Sequence, residues 1–471
     1  MNRSGVARLS LKCVIRDRLW GVKSLRITAA LLIPSLGAAQ GTRPVAAWSP
    51  LDSAATAFVG VNVVAMDRDT LLTNQTVVVR NGRIESVQPR FAARLPASVR
   101  QIDGTGKWLI PGLADAHVHL SYLMNSKHNP TLLRLFVAEG VTTVINLLGL
   151  PEHLELRSKV ARGEIVGPTI FTSGFYVGQP FTRDAVQVDS VVRLQKAAGF
   201  DMVKLHGAID SASYRALIDA GKREGIAIVG HLPRNLGLLT ALDARQAMIA
   251  HAEEYLYAWF GFGRTITSRE HANALVDSAA MLTAKAGTWV TPSLRVFGAI
   301  PAQRENLDSV LDTPEMKRVP DALKFDWTPE RNSYRNIPLE ALLSFRNQHA
   351  LLQRLTLALH KAGVPLLMGT DALATAAVPP GISAHDELQE LVQSGLTPYE
   401  ALRTATANVA RFLDQPNEFG VIRAGARADF LLLDANPLTD IGAARRSVGV
   451  MLRGRWFNAA ARDSLRNGTL Q

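Results

Sequence analysis

The 471-residue chain has a single cysteine, Cys13. It falls within an N-terminal segment expected to be removed, so the mature chain has none. That excludes disulfides and thiolate metal ligands, and leaves any metal to His, carboxylate or a less ordinary ligand. A long hydrophobic run is also missing. The apolar stretch at 27–36 is about half the roughly 20 residues that a membrane span needs, and no other stretch reaches that length. No short sequence repeat is detectable. The formal charge of +11 shrinks on inspection, because residues 1–39 carry seven Lys and Arg against Asp17 alone. The remaining +5 is mild for this size and gives no footprint for a nucleic-acid partner.

The removed segment reads as a signal peptide over 1–39. Lys23 and Arg26 precede the apolar run, and the small residues Gly37-Ala38-Ala39 follow it. Cleavage is expected after Ala39, with 40–54 as a linker and export to the periplasm or medium. The basic stretch before the run is long, and a translation start near Val22 would shorten it. Small residues do not precede Cys13, so a lipid-anchored cysteine is not expected.

What remains is ordinary globular composition, 47% hydrophobic and 20% charged. Residues 58–64, 76–80 and 83–87 read as short strands, with Asn81-Gly82 as a hairpin turn. The stretches 429–434 and 448–456 read alike, so 55–111 plus 421–463 are expected to pair into one small β-sandwich. Between them, 112–420 alternates apolar β runs with helical stretches such as 211–224 and 342–362. Eight candidate strands end at His119, Leu148, Gly174, His206, His231, His251, Pro292 and Asp371. The expected fold is α/β, a (β/α)8 TIM barrel with its site at the strand C-terminal ends. A charged insertion at about 294–340, holding Phe325, Trp327 and Tyr334, and the aromatic run 255–262 read as a lid and pocket wall, or as outer-helix packing.

The chemistry centres on Gly112-Leu113-Ala114-Asp115-Ala116-His117-Val118-His119. On a strand, side chains two apart leave the same face, so His117 and His119 can offer two neutral nitrogens to one metal ion. Lys204, His231, His251 and Asp371 fall at the ends of other candidate strands. Lys204 is the odd member. Beside divalent cations an ammonium is repelled, by about 4 kcal/mol per unit-charge pair at about 4 Å and an effective dielectric of about 20. Either Lys204 turns away to a carboxylate, or it is carboxylated by CO2 to a carbamate able to bridge two metals.

These residues, with Pro111 ahead of the motif and Gly369-Thr370 ahead of Asp371, resemble the metal-dependent amidohydrolase superfamily. Within it the chain is similar to the binuclear prolidase-like and imidazolonepropionase-like group. Residues 395–402, Ala405-Thr406-Ala407-Asn408 and 420–430 extend the resemblance, which covers about 55–460. It implies that His117, His119 and Asp371 hold one divalent metal, His231 and His251 a second, and carboxylated Lys204 bridges them, with Zn2+ the expected ion. A metal-bridging hydroxide would attack a peptide-like or N-acyl amino acid amide, with Asp371 as general base. Xaa-Pro dipeptides and aromatic amides are the substrate classes in view. His206 is expected to support the site or face substrate. Arg234, Tyr255 and Arg295 are candidates for a substrate carboxylate, Glu253 and His385 are expected to be supporting hydrogen-bond partners, and His385 is also a candidate substrate contact. Open alternatives are a mononuclear cyclic-amide hydrolase or deaminase, an esterase, lactonase or phosphotriesterase on the same centre, and a metal-free relative. Small-molecule substrates, no nucleic acid and a homo-oligomeric association are the expected partners.

Overall fold

The computed structural model describes residues 55–120, 123–261, 268–324 and 327–469. The expected signal peptide with Cys13, the linker 40–54, and the aromatic residues Phe262 and Phe325 lie outside these. Among the described residues no helix is long and apolar enough to cross a membrane.

The architecture is mixed α/β. Five strands open it: β1 (Thr56–Val64), β2 (Leu71–Arg80), β3 (Arg83–Pro89), β4 (Arg100–Asp103) and β5 (Trp108–Pro111). The β2–β3 turn is Asn81-Gly82, with φ of 50° and 76°, the double positive φ of a type I′ hairpin. A parallel series follows, comprising β6 (Leu113–Val118), β7 (Val141–Asn146), β8 (Thr169–Thr172), β9 (Met202–Leu205), β10 (Ala227–Gly230), β11 (Met248–Ala250) and β12 (Trp289–Thr291). The chain ends with β13 (Phe430–Leu433), β14 (Ser447–Leu452), β15 (Arg455–Asn458) and the helix Ala459–Arg466.

The terminal segments share one sheet of order β15-β14-β13-β5-β1-β2-β3, with β4 also on β1. Its seam is the antiparallel β5–β13 pair, where Leu431 faces Ile110 and Leu432 faces Leu109. Phe58 meets Phe430 and Trp456 edge-on, each at 5.0 Å between ring centroids. One residue, Gly112, carries the chain from this sheet into β6. A Cβ there would lie 2.2 Å from Thr142 Oγ1, so only glycine fits.

The parallel strands form sheets β6-β7-β8 and β9-β10-β11-β12. A bridge from Ser173 to Met202 links β8 to β9, and Val177 N donates to the Lys204 carbonyl at 2.9 Å. The expected eighth strand is not a regular strand. Residues 364–371 touch β12 through a bridge from Leu366 to Val290, and Asp371 N donates to the His117 carbonyl at 2.7 Å beside β6. Pro365 removes a donor and Asp371 turns to φ 57°, which together break a continuous ladder. Strands β6, β7 and β9 are buried along their whole length, as strands covered on both faces should be.

An inner apolar layer comprises Ala114, Ile145, Phe171, Met202, Val229, Met248 and Leu367. Lys204 follows Met202 by two residues and His231 follows Val229 by two, so the strand period aims both past this layer at the same end. Register irregularities in β6 re-aim its side chains near the histidines.

Gly140, between the helix Asn129–Ala138 and β7, has φ 83°, and a Cβ there would sit 2.4 Å from Leu431. Gly140→Ala is therefore expected to cost about 1–3 kcal/mol, read from the urea midpoint, because it combines a left-handed backbone with a clash against the seam strand.

Candidate metal centre

Strand β6 carries His117, and His119 directly follows its last residue, so that their ring centroids lie 5.3 Å apart. Asp371 meets both. Its Oδ1 lies 3.2 Å from His117 Nε2 and 2.8 Å from His119 Nε2, and its Oδ2 lies 3.9 Å from His251 Nε2. His117, His251 and Asp371 are all buried, with one ligand atom each within 4.8 Å of the others. Lys204 Nζ is 3.5 Å from His117 Nε2. His231 stands edge-on to His251 at 5.2 Å, and His206 lies 4.5 Å from His231. The six expected ligands and His206 thus form one contiguous cluster.

Buried polar atoms without hydrogen bonds test whether this cluster suits a cation. Asp371 Oδ1 makes no hydrogen bond of acceptable geometry although two imidazole nitrogens crowd it, and His117 Nδ1 has none either. A buried carboxylate oxygen left without a partner is otherwise costly, and a cation beside Asp371 Oδ1 would satisfy it. Burial and the Lys204 cation hold His117 and His231 well below the usual histidine range, and burial takes His251 and His206 down to about 3. The rings are therefore neutral near pH 7, which is the form that binds metal. For Asp371 burial pushes up, but the neighbouring His251 and His119 outweigh it and keep the carboxyl below its ordinary value. Burial brings Lys204 down to about 8, against the pull of Asp371 and Glu254. The free amine, the form that can react with CO2, is thereby more accessible than in an exposed lysine.

Two backbone positions in the cluster are strained. His251 has φ 72° and Asp371 φ 57°, and neither is glycine. Such conformations persist where the surroundings over-determine them. Asp115 is part of that constraint. Its buried carboxylate accepts Thr370 N at 3.0 Å, Thr370 Oγ1 at 2.6 Å and His117 N at 3.2 Å. Burial still raises it to about 7.

Glu254 supports the other side. It is buried, lies 3.4 Å from His231 Nδ1, and takes a forked ion pair from Arg234. A carboxylate on one ring nitrogen fixes the imidazole and leaves the other for a ligand. Sequence reasoning gave neither Asp115 nor Glu254 a role. Asp115 shares its strand parity with both histidines inside the motif, and that was its signal. Glu254 stands beside Glu253, and no pattern tells which of two adjacent carboxylates turns inward. Tyr334 was noted only as part of the insertion, yet its hydroxyl bonds Thr375, and burial, with Glu253 and Asp371 close by, pushes that hydroxyl well above the usual tyrosine range.

Three expected substrate contacts are corrected. Tyr255 is fully buried with its hydroxyl 2.9 Å from Thr283 Oγ1, so it packs the core instead of facing a ligand. Trp259 and Phe260 of the same run are buried in the same core, as the packing reading of that run expects, while Tyr257 is half-buried against Arg234. Arg295 pairs with Asp386 at 3.4 Å. His385 Nε2 donates to the Glu139 carbonyl at 2.8 Å, away from the histidine cluster. Arg234 stays beside the cluster through Glu254, with its guanidinium 4.2 Å from the centre of the Tyr257 ring.

The model of the amidohydrolase family matches residues 108–457. An imidazolonepropionase of Idiomarina loihiensis is 24% identical over 427 residues, covering 86% of this chain and 96% of that protein. Among solved structures, bottromycin amidohydrolase superposes with a TM-score of 0.69 at 22% identity, covering 88% of this chain and 90% of its own. A Xaa-Pro dipeptidase with bound methionine gives 0.64 at 19% identity, covering 86% and 100%. At such identities the structural likeness speaks for the fold.

Because Tyr255 is a packing residue, Tyr255→Phe should lower stability by about 1 kcal/mol through the lost Thr283 contact. Its kcat/KM should stay within about twofold of the parent, and a tenfold rise in KM would restore Tyr255 to the substrate site.

Proposed function

Since the chain belongs to the amidohydrolase family, we propose that it is a metal-dependent hydrolase of an amide bond in a small peptide-like or N-acyl amino acid substrate. The observation that carries this is the convergence of His117, His119 and His251 on Asp371, with Lys204 buried against His117. We read 112–420 as a (β/α)8 barrel, a reading supported by the parallel strands and the bridges at Ser173, Leu366 and Ala372. Residues 55–111 with 421–463 would be the composite sandwich.

In this reading His117, His119 and Asp371 would hold one divalent ion and His231 and His251 another, with Zn2+ the expected ion and carboxylated Lys204 a ligand shared by both. Metals bound there would acidify water and polarise the scissile carbonyl. The chain's own residues then divide the remaining work. Asp371 takes a proton at its carboxylate and returns it to the leaving amine, and its low pKa keeps it ionised and ready. Glu254 and Asp115 hold His231 and the His117 backbone in place. Burial of Lys204 favours binuclear over mononuclear chemistry, because an unmodified ammonium would repel the cations its neighbours are arranged to bind. Export, from the expected signal peptide, and homo-oligomeric association belong to the same proposal.

Metal analysis of the purified protein, beside release of free amino acid from N-acyl amino acids and dipeptides, tests the reading. Two ions per chain and chelator-sensitive release are expected, whereas one ion without amide cleavage would favour a cyclic-amide hydrolase or deaminase. Lys204→Ala should lose about half of the metal, and retention of two equivalents would remove the bridge. Asp371→Asn should keep the fold and lower kcat by at least about 100-fold; near-parental turnover with full metal would exclude it as the base.

A further inference from the structure

The loop after β8 places three aromatic rings beside the histidine cluster. Phe175, Tyr176 and Phe181 lie 5.1–5.5 Å from one another. Tyr176 stacks on His206 at 4.4 Å with the planes 12° apart, and His206 touches His231. A continuous aromatic surface therefore runs from a candidate metal ligand outward to Phe175. Phe175 is 38% exposed, and only one other aromatic side chain among the described residues is so exposed, Phe91 in the turn after β3. Leaving a phenyl ring in water forgoes burial energy, and an exposed ring at the rim of a reactive site marks a surface for apolar ligands.

The loop is held to the site by its backbone. Val177 N donates to the Lys204 carbonyl and His206 N to the Val177 carbonyl, both at 2.9 Å, while Gln179 N donates to Ala208 at 2.7 Å. Gln195 Nε2 fixes the Phe175 carbonyl at 2.7 Å. The approach is close enough that a Cβ on Gly178 would lie 2.3 Å from the His206 carbonyl. The rings are thus pre-positioned in register with Lys204, and ligand binding need not order them.

We propose that Phe175, Tyr176 and Phe181, continued by His206, form an aromatic wall that receives a planar aromatic substituent of the substrate, next to the scissile bond. This rests on and deepens the amide-hydrolase reading. An aromatic ligand meets these rings in offset or edge-on contacts that a saturated ring of similar size cannot reproduce. The wall lies after β8, not in the run 255–261, where Tyr255, Trp259 and Phe260 are buried.

Two measurements on the whole protein test it separately from turnover. Affinities for phenylacetate and cyclohexylacetate are compared by calorimetry, and kcat/KM is compared for N-phenylacetyl and N-cyclohexylacetyl amino acids. The parent should favour the aromatic member in both. Phe175→Ala should reduce that preference about three- to tenfold, and Phe175→Leu should keep affinity for the saturated ring without restoring the preference, whereas Phe175→Tyr should restore it. Equal binding of the two carboxylates by the parent, or a preference untouched in Phe175→Ala, overturns the wall even if amides are cleaved. An aromatic preference in binding that Phe175→Ala removes, in a protein that cleaves no amide, upholds the wall and sinks the amide reaction instead.

Discussion

The Asp115 carboxylate is the contact on which the site depends. It sits in the first parallel strand and binds the backbone and hydroxyl of Thr370 in the eighth segment, together with the His117 amide. Two pieces of chain 255 positions apart are thereby fixed at the point where both turn their ligands inward. A buried carboxylate with three donors is stable only if all three stay in place, so the contact tolerates little slack. Together with the backbone bonds from Asp371 N to the His117 carbonyl and from His119 N to the Ala372 carbonyl, it sets the distance between Asp371 and the two histidines.

The rest of the centre follows from burial. Imidazoles removed from water are neutral donors, and an amine removed from water loses its proton more readily. One physical cause therefore prepares both the nitrogen ligands and the lysine, although it acts on groups of quite different ordinary pKa. The Glu254–Arg234 pair supplies a negative charge behind His231 and neutralises it from the solvent side. Arg234 and Tyr255, which looked equivalent in sequence as carboxylate binders, have opposite fates because one follows β10 at the rim and the other enters a helical turn packed on Thr283.

Much of this was legible before any coordinates. The two histidines spaced by two, and the placement of Lys204, His231 and His251 at strand ends, follow from strand periodicity, and the structure gathers all of them with Asp371, although Asp371 does not end a regular strand. The Asn81-Gly82 hairpin was equally plain, because only a few residues tolerate two positive φ angles in succession. The eighth segment read as a strand since it is an apolar run, but hydropathy carries no information about which backbone donors find partners. The aromatic run after β11 left two readings open for a related reason. Aromatic residues serve cores and pockets alike, and only the packing of Trp259 and Phe260 into the main core decides between them. Phe175, Tyr176 and Phe181 give no periodic signal, since their loop is shaped by hydrogen bonds to another strand.

The β5–β13 seam has a consequence for how the chain reaches this state. Strand β5 precedes the whole parallel series and β13 follows it, so their pairing closes a loop of more than 300 residues. Contacts that distant in sequence form late, because their loop entropy is lost before any bond is gained. During synthesis β5 therefore stays an open edge until the final three strands have left the ribosome. The sheet is therefore completed only after the whole parallel series has been made, and until then its first strands present an open edge to other chains.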